Sequence, residues 1–320
     1  MGQYQYQTVL GTIGREELGH CQPHEHIYIV GTIDQERCPL ICMNNLPFSA
    51  NELKLYAAKG GNTVVDANPL ATGRDALALQ DISRLSGVNI IATTGYHIPK
   101  FYPESHWIWT ESEEALEDLF ASEIQEGMFL GGFYEKPEYR TNIRAGLVKA
   151  MITRDGMQDE WNRRCLRAAG RAAKKTGASI MVHTEGKDEL EMIDLLAGKI
   201  GLDTRSILVC HVDRQVEDLE RHEKIAATGV FMEYDTITLF QFHNNADEIR
   251  MLRHMMDKGY TDQILISTDP ETDRMKSYGS KVGIDYILEH FIPLLRQSGF
   301  TEEEITAVTR TNPAQALRIG

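Results

Sequence analysis

Ser179-Ile180-Met181-Val182-His183-Thr184-Glu185, the amphipathic stretch Lys187–Gly201, and Ile207-Leu208-Val209-Cys210-His211-Val212-Asp213 decide the fold. Two short runs rich in β-branched and apolar residues flank a longer stretch of helical periodicity, which is the pattern of a parallel βαβ unit. Working outward, the same alternation recurs. Further β-rich runs lie at Pro23–Val30, Thr63–Asn68, Asn89–Tyr96, Ala145–Ile152, Val230–Ile237 and Ile264–Asp269. Helical patterns separate several of them, including Gln158–Thr176, Val216–Thr228 and Asp247–Gly259. Eight such units with apolar runs predict an α/β chain folded as a (β/α)8 TIM-like barrel, one domain over residues 1–320. A doubly wound open sheet is disfavoured, because no glycine-rich phosphate fingerprint follows an early strand. Gly60-Gly61 precedes a strand and reads as a helix-to-strand turn. Tyr6–Ile13 with Glu17–Gly19 predicts a short hairpin capping the barrel floor. Gly283–Ser298 and Thr301–Ala316 read as closing helices, the last opening on a capping-box-like Thr301-Glu302-Glu303-Glu304.

The composition suits a large soluble core: 320 residues, 42% hydrophobic and 25% charged. A net charge of -14 argues against a nucleic-acid partner or an anionic membrane surface. No apolar run approaches the ~18 residues of a membrane span, and no secretion signal is visible, so a cytoplasmic protein is expected. Five cysteines with no CxxC pattern read as reduced thiols; Cys38 and Cys42 have no nearby His/Cys partner pair for a metal site.

Active sites of such barrels collect at the C-terminal ends of the strands. Read in order, those ends carry His24 and His26 on the first strand, Lys149 on the fourth, His183 on the fifth, His211 on the sixth and Asp269 on the eighth. In Pro23-His24-Glu25-His26 the two imidazoles stand at i and i+2, a spacing that aims both at one face of a strand. Four imidazoles are too many for one open zinc site but suit two metals. A lysine among cations requires its charge to be removed, and carboxylation by CO2 to an anionic carbamate able to bridge two metals would do so. The apolar neighbours of Lys149 also disfavour a free ammonium.

These residues carry a resemblance. Thr8-Val9-Leu10-Gly11 with Glu17-Leu18-Gly19-His20, His24-Glu25-His26, Arg144-Ala145-Gly146-Leu147-Val148-Lys149, His183-Thr184, His211-Val212-Asp213, Ser267-Thr268-Asp269 and Asn312-Pro313-Ala314 resemble the phosphotriesterase family of the amidohydrolase superfamily, in order and over nearly the whole chain. The resemblance implies a distorted barrel with a binuclear, usually zinc, centre, manganese or cobalt being alternatives. His24, His26 and Asp269 would hold the more buried ion, His183 and His211 the more exposed one, and N6-carboxylated Lys149 would bridge them with a hydroxide. Asp269 would be the catalytic proton acceptor, and a homodimer is implied.

The expected function is a metal-dependent hydrolase opening a lactone, including sugar lactones, or cleaving a carboxylic ester of a small molecule. Phosphotriester or amide hydrolysis at the same centre is the alternative, and a non-catalytic metal-binding homologue the alternative of another class. Substrate contacts are expected from Tyr96 and His97 after the third strand, and from Arg274, Lys276 and Tyr278 after the eighth, the alternative for these last three being a plain surface loop in which Glu271 and Asp273 neutralise the two basic side chains. His97 would either steer a polar group or pack the wall. Trp107 and Trp109 read as lid or dimer-contact residues. The stretch Thr238–Asn245 contains no Lys or Arg, which speaks against a phosphate anchor there.

Overall fold

The computed structural model describes residues 4–30 and 39–319; Cys38 lies outside them. An antiparallel hairpin, β1 (Gln5–Thr8) and β2 (Gly11–Gly14), opens the chain. Eight parallel strands follow in sequential order: β3 (Cys21–Glu25), β4 (Thr63–Asp66), β5 (Asn89–Gly95), β6 (Leu147–Met151), β7 (Ile180–His183), β8 (Ile207–Val209), β9 (Phe231–Tyr234) and β10 (Ile264–Ile266). The ring is completed by side chains as well as backbone. Asp269 N–H donates to His24 O (3.2 Å) and His24 N–H to Ser267 Oγ (2.9 Å), while Glu25 accepts from the Thr268 amide and hydroxyl at 3.0 and 2.6 Å. The expected barrel is therefore the observed one.

The inward side chains of the strands, among them Cys21, Val65, Ile91, Leu147, Met181, Phe231 and Leu265, form one fully buried cluster with Tyr6 and Leu18. The hairpin caps the strands' N-terminal ends as expected: Val9 N–H donates to Ile90 O, and the Tyr6 hydroxyl to Ala314 O. Glu17 differs from the expectation. Arg15–Leu18 is a single helical turn, with Glu17 receiving the Gly14 amide.

A second, larger core lies between strands and helices. The helix Glu160–Thr176 shows how sequence dictates its parts. Asp159 caps it by accepting from Trp161 and Asn162 amides, Cys165, Leu166, Ala169, Ala172 and Ala173 line its buried side, and Gly177 ends it at φ +73°. Thr301 and Glu304 form the expected reciprocal capping box, although the last helical stretch is interrupted by a π-helical turn at Ala307–Thr311. Gly60 adopts φ +98° in the predicted helix-to-strand turn.

Several strands are shorter than the apolar runs suggest, and the first is displaced: β3 covers Cys21–Glu25 rather than Pro23–Val30, so the apolar Ile27–Val30 lies beyond it. His26 follows β3, whose pairing with β4 shifts register between Gln22 and Glu25. His211 and Asp269 stand beyond β8 and β10 with φ of +59° and +44°, a conformation unfavourable to non-glycine residues. Each turns the chain out of the strand and its side chain into the barrel mouth.

Candidate metal centre

His24, His26, Lys149, His183, His211 and Asp269 all line one cavity of about 220 Å³ at the C-terminal ends of the strands. The six residues predicted for the metals thus converge on one space. His26 Nε2 lies 3.2 Å from Asp269 Oδ1, and His24 Nε2 lies 3.8 Å from the same oxygen. Lys149 Nζ lies 3.1 Å from His24 Nε2, and His183 Nδ1 and His211 Nε2 are 2.7 Å apart. Ligand atoms of His24, His211 and Asp269 all fall within 4.8 Å of one another.

Behind the histidines sit two carboxylates that sequence reasoning missed, Glu233 and Asp235. His24 Nδ1–H faces Glu233 Oε2 and Asp235 Oδ2, both at 2.8 Å. His211 Nδ1–H donates to Asp235 Oδ1 at 2.8 Å, and its backbone N–H also points at that carboxylate. One fully buried aspartate therefore fixes the tautomer of two imidazoles. With a proton held on each Nδ1, both rings turn Nε2 toward the cavity, the carboxylate–histidine arrangement that orients metal ligands. The signal was in the sequence: within Val230–Ile237, Glu233 and Asp235 are the i and i+2 acids of an otherwise apolar run, hence on one inward face.

The electrostatics follow from burial and neighbours. Burial, with the Arg214 guanidinium, lowers His211 to about 4. Burial likewise lowers His26, and pushes His183 well below its usual value. These rings are neutral at pH 7 and available as ligands. For His24, burial and Lys149 oppose a proton, but Cys210, Asp235 and Glu233 outweigh them and raise it well above the usual range, so a cation at Nε2 would displace a proton there. Burial disfavours charge on Asp269 too, yet the His26 hydrogen bond and the His24 charge hold it well below the usual carboxylate value, so it is ionised. Arg214 Nη2 donates to Asp269 Oδ2 (2.9 Å).

The donor set fits divalent cations. It offers inward-facing imidazole nitrogens, an ionised carboxylate, and two buried ring nitrogens, His26 Nδ1 and His183 Nε2, that have no hydrogen-bond partner.

The residues predicted to touch substrate divide. His97 lines the cavity, its ring 6.3 Å from that of His183 and its Nδ1 accepting from Ile98 N–H. Tyr96 does not. It is fully buried against Trp161 and Phe120 and donates to Met151 O. Arg274 donates to the carbonyls of Thr268 and Asp269 and so braces the turn carrying Asp269. Lys276 is paired with Asp285 and Glu289, and Tyr278 hydrogen-bonds Asn45 and Ser49. The loop after β10 is thus tied to the helix Leu46–Ala58 and the C-terminal helices, through partners distant in sequence. Arg214, Lys100 and Glu271, not anticipated as substrate contacts, line the cavity instead. Trp107 donates to Gly132 O and Trp109 to Pro103 O, and Trp109 packs on Trp161.

The phosphotriesterase family model matches residues 4–317. The chain belongs to the phosphotriesterase family. Within it, the chain is 30% identical to a phospho-furanose lactonase of Mycoplasmopsis synoviae, over 97% of this chain and 90% of that one. A Mycoplasma synoviae crystal structure described as an amidohydrolase superposes with a TM-score of 0.94 at 29% identity, covering 100% of this chain and 93% of its own. A Listeria monocytogenes lactonase gives 0.89 at 27% identity, covering 99% of each. Among the described residues, no helix of this family member is long and apolar enough to cross a membrane.

Proposed function

We propose that this chain is a metal-dependent hydrolase that opens the ring of a small lactone. The observation that carries the reading is Asp235, which holds Nδ1 of both His24 and His211 so that their Nε2 atoms converge with Asp269 and Lys149 in one cavity. The names of the relatives and neighbours, two of them lactonases, support the choice of reaction.

His24, His26 and Asp269 would hold one divalent cation, His183 and His211 a second, with Lys149, as its carbamate, shared between them; zinc is the first candidate. Bound cations supply Lewis acidity, polarising a carbonyl and easing the ionisation of water. The protein's own groups do the rest. Asp269, ionised and at the cavity wall, takes the proton of the attacking water, with Arg214 fixing its Oδ2. As the C–O bond of the ring breaks, the leaving alkoxide receives that proton. It stays tethered in the product, so no separate leaving-group pocket is needed. His97, with Phe101 against its ring (4.5 Å), shapes the opposite wall. A volume of about 220 Å³ is below the roughly 300–1,000 Å³ of sites for drug-sized ligands, which favours a compact ring over an extended chain.

The test is a panel of γ- and δ-lactones, plain and phosphorylated, assayed beside amides and phosphotriesters with zinc-reloaded protein. The reading expects a lactone to give the highest kcat/KM; faster turnover of an amide or phosphotriester would replace it.

A further inference from the structure

Outside that cavity, Asp213, His243 and Glu248 form a cluster of fully buried ligand-type side chains. They come from three segments: the turn after β8, the stretch after β9, and the first turn of the helix Asn245–Asp257. His243 Nε2 lies 3.4 Å from Asp213 Oδ2, 3.3 Å from Glu248 Oε2 and 3.1 Å from Thr236 Oγ1. One ring nitrogen therefore faces three oxygens, and one N–H cannot serve them all. The remainder is unsatisfied: both oxygens of Glu248, Asp213 Oδ1 and His243 Nδ1 are buried with no hydrogen-bond partner. Buried polar atoms are otherwise nearly always paired. Burial and the neighbouring Asp213, Asp235 and Asp247 all work against a negative charge on Glu248.

We infer that Asp213, His243 and Glu248 form a third cation site, a structural one, which takes a divalent metal such as zinc with the Thr236 hydroxyl as a fourth donor. The spacing suits this. Four donors about 2.1 Å from a tetrahedral ion stand about 3.4 Å from one another, against the 3.3 and 3.4 Å here. A cation would satisfy the crowded nitrogen and balance the charge of the two under-bonded carboxylates, with the ring proton of His243 on Nδ1. None of the three residues lines the cavity at the barrel mouth. The site instead lies behind it: Asp213 is two residues past His211, and Thr236, whose amide donates to Asp213 Oδ2 at 2.7 Å, is next to Asp235. Its ion would pin together the loops that position Arg214 and Asp235.

The experiment is anomalous diffraction from crystals of the full chain reloaded with zinc chloride, recorded on both sides of the zinc edge. The expected result is a peak with His243 Nε2 and oxygens of Asp213 and Glu248 each about 2.0–2.2 Å away, separate from any density at the barrel mouth. No peak there, whatever the mouth shows, would overturn the site and leave a proton on Glu248 as the balancing charge. In solution, Glu248→Gln should bind one zinc fewer per chain and lose part of the thermal stabilisation that zinc confers. Unchanged zinc content in a folded Glu248→Gln protein would also overturn it, and if that variant does not fold the wild-type diffraction decides alone.

Discussion

Replacing Asp235 with asparagine removes one charge and leaves the shape unchanged, yet it acts on two imidazoles at once. Asp235 accepts His211 Nδ1–H at 2.8 Å and shares His24 Nδ1–H with Glu233, each at 2.8 Å. Removing a carboxylate behind a ligating histidine typically costs about 10–100-fold in metal affinity or activity. His211 loses the acceptor for its Nδ1–H and bears that factor in full; His24 keeps Glu233 and bears part of it. The expected loss is on the order of 100-fold in zinc affinity, about 2.8 kcal/mol at about 1.4 kcal/mol per tenfold. Glu233→Gln, which faces Nδ1 of His24 but not that of His211, should cost about tenfold or less. Zinc affinity would be read by competition with a chromophoric chelator, kcat/KM by lactone turnover, and folding by the melting temperature of the metal-free proteins. The reasoning fails if folded Asp235→Asn binds zinc within about threefold of wild type, or if Glu233→Gln weakens binding more.

Four further outcomes are expected. Lys149→Ala should lose most bound metal together with turnover, read by elemental analysis; full metal retention would remove Lys149 from the centre. Gly95→Ala should destabilise the barrel by more than the about 1–3 kcal/mol of an unfavourable φ, because Gly95 has φ +105° and a Cβ would sit 1.9 Å from Lys149 O; a urea midpoint unchanged from wild type would refute it. Arg74 and Glu123 form a bidentate pair at 2.8 and 2.7 Å, both essentially without exposure, so Arg74→Met should cost about 3–5 kcal/mol, and the additional Glu123→Gln change should recover part of it. Stability should fall with pH below the usual histidine range. Burial lowers His222 to about 4 and His20 to about 3. Between those values and about 6.5 the unfolded chain binds protons that the folded one refuses, so each group subtracts about 1.4 kcal/mol per pH unit as pH drops. Urea midpoints equal at pH 7 and pH 5 would contradict this.

The parts legible in the sequence are those whose signal is local. His183, His211 and Asp269 each sit at or just past the end of an apolar run, and a parallel barrel brings such ends to one mouth, whereas His24 precedes its apolar run and Lys149 lies inside one. The strand limits were less legible. The chain leaves β8 and β10 by positive-φ turns at His211 and Asp269, residues whose types do not announce such a turn. Glu233 and Asp235 were present as an i, i+2 pair, but their role depends on His24, more than 200 residues away. Arg274, Lys276 and Tyr278 have the chemistry of anion binders. What decides their orientation is Thr268 and Asp269 carbonyls for the first, Asp285 and Glu289 for the second, and Asn45 and Ser49 for the third, contacts that only the folded loop reveals.

The central claim is that lactone opening depends on metal held at the barrel mouth. The most direct measurement is ring-opening turnover, followed by proton release, of the same protein sample before chelation, after chelation and after zinc is returned with bicarbonate. Loss of turnover on chelation and its recovery on reloading, with Asp269→Asn inactive throughout, is the predicted result. Undiminished turnover by protein stripped of metal would contradict the account.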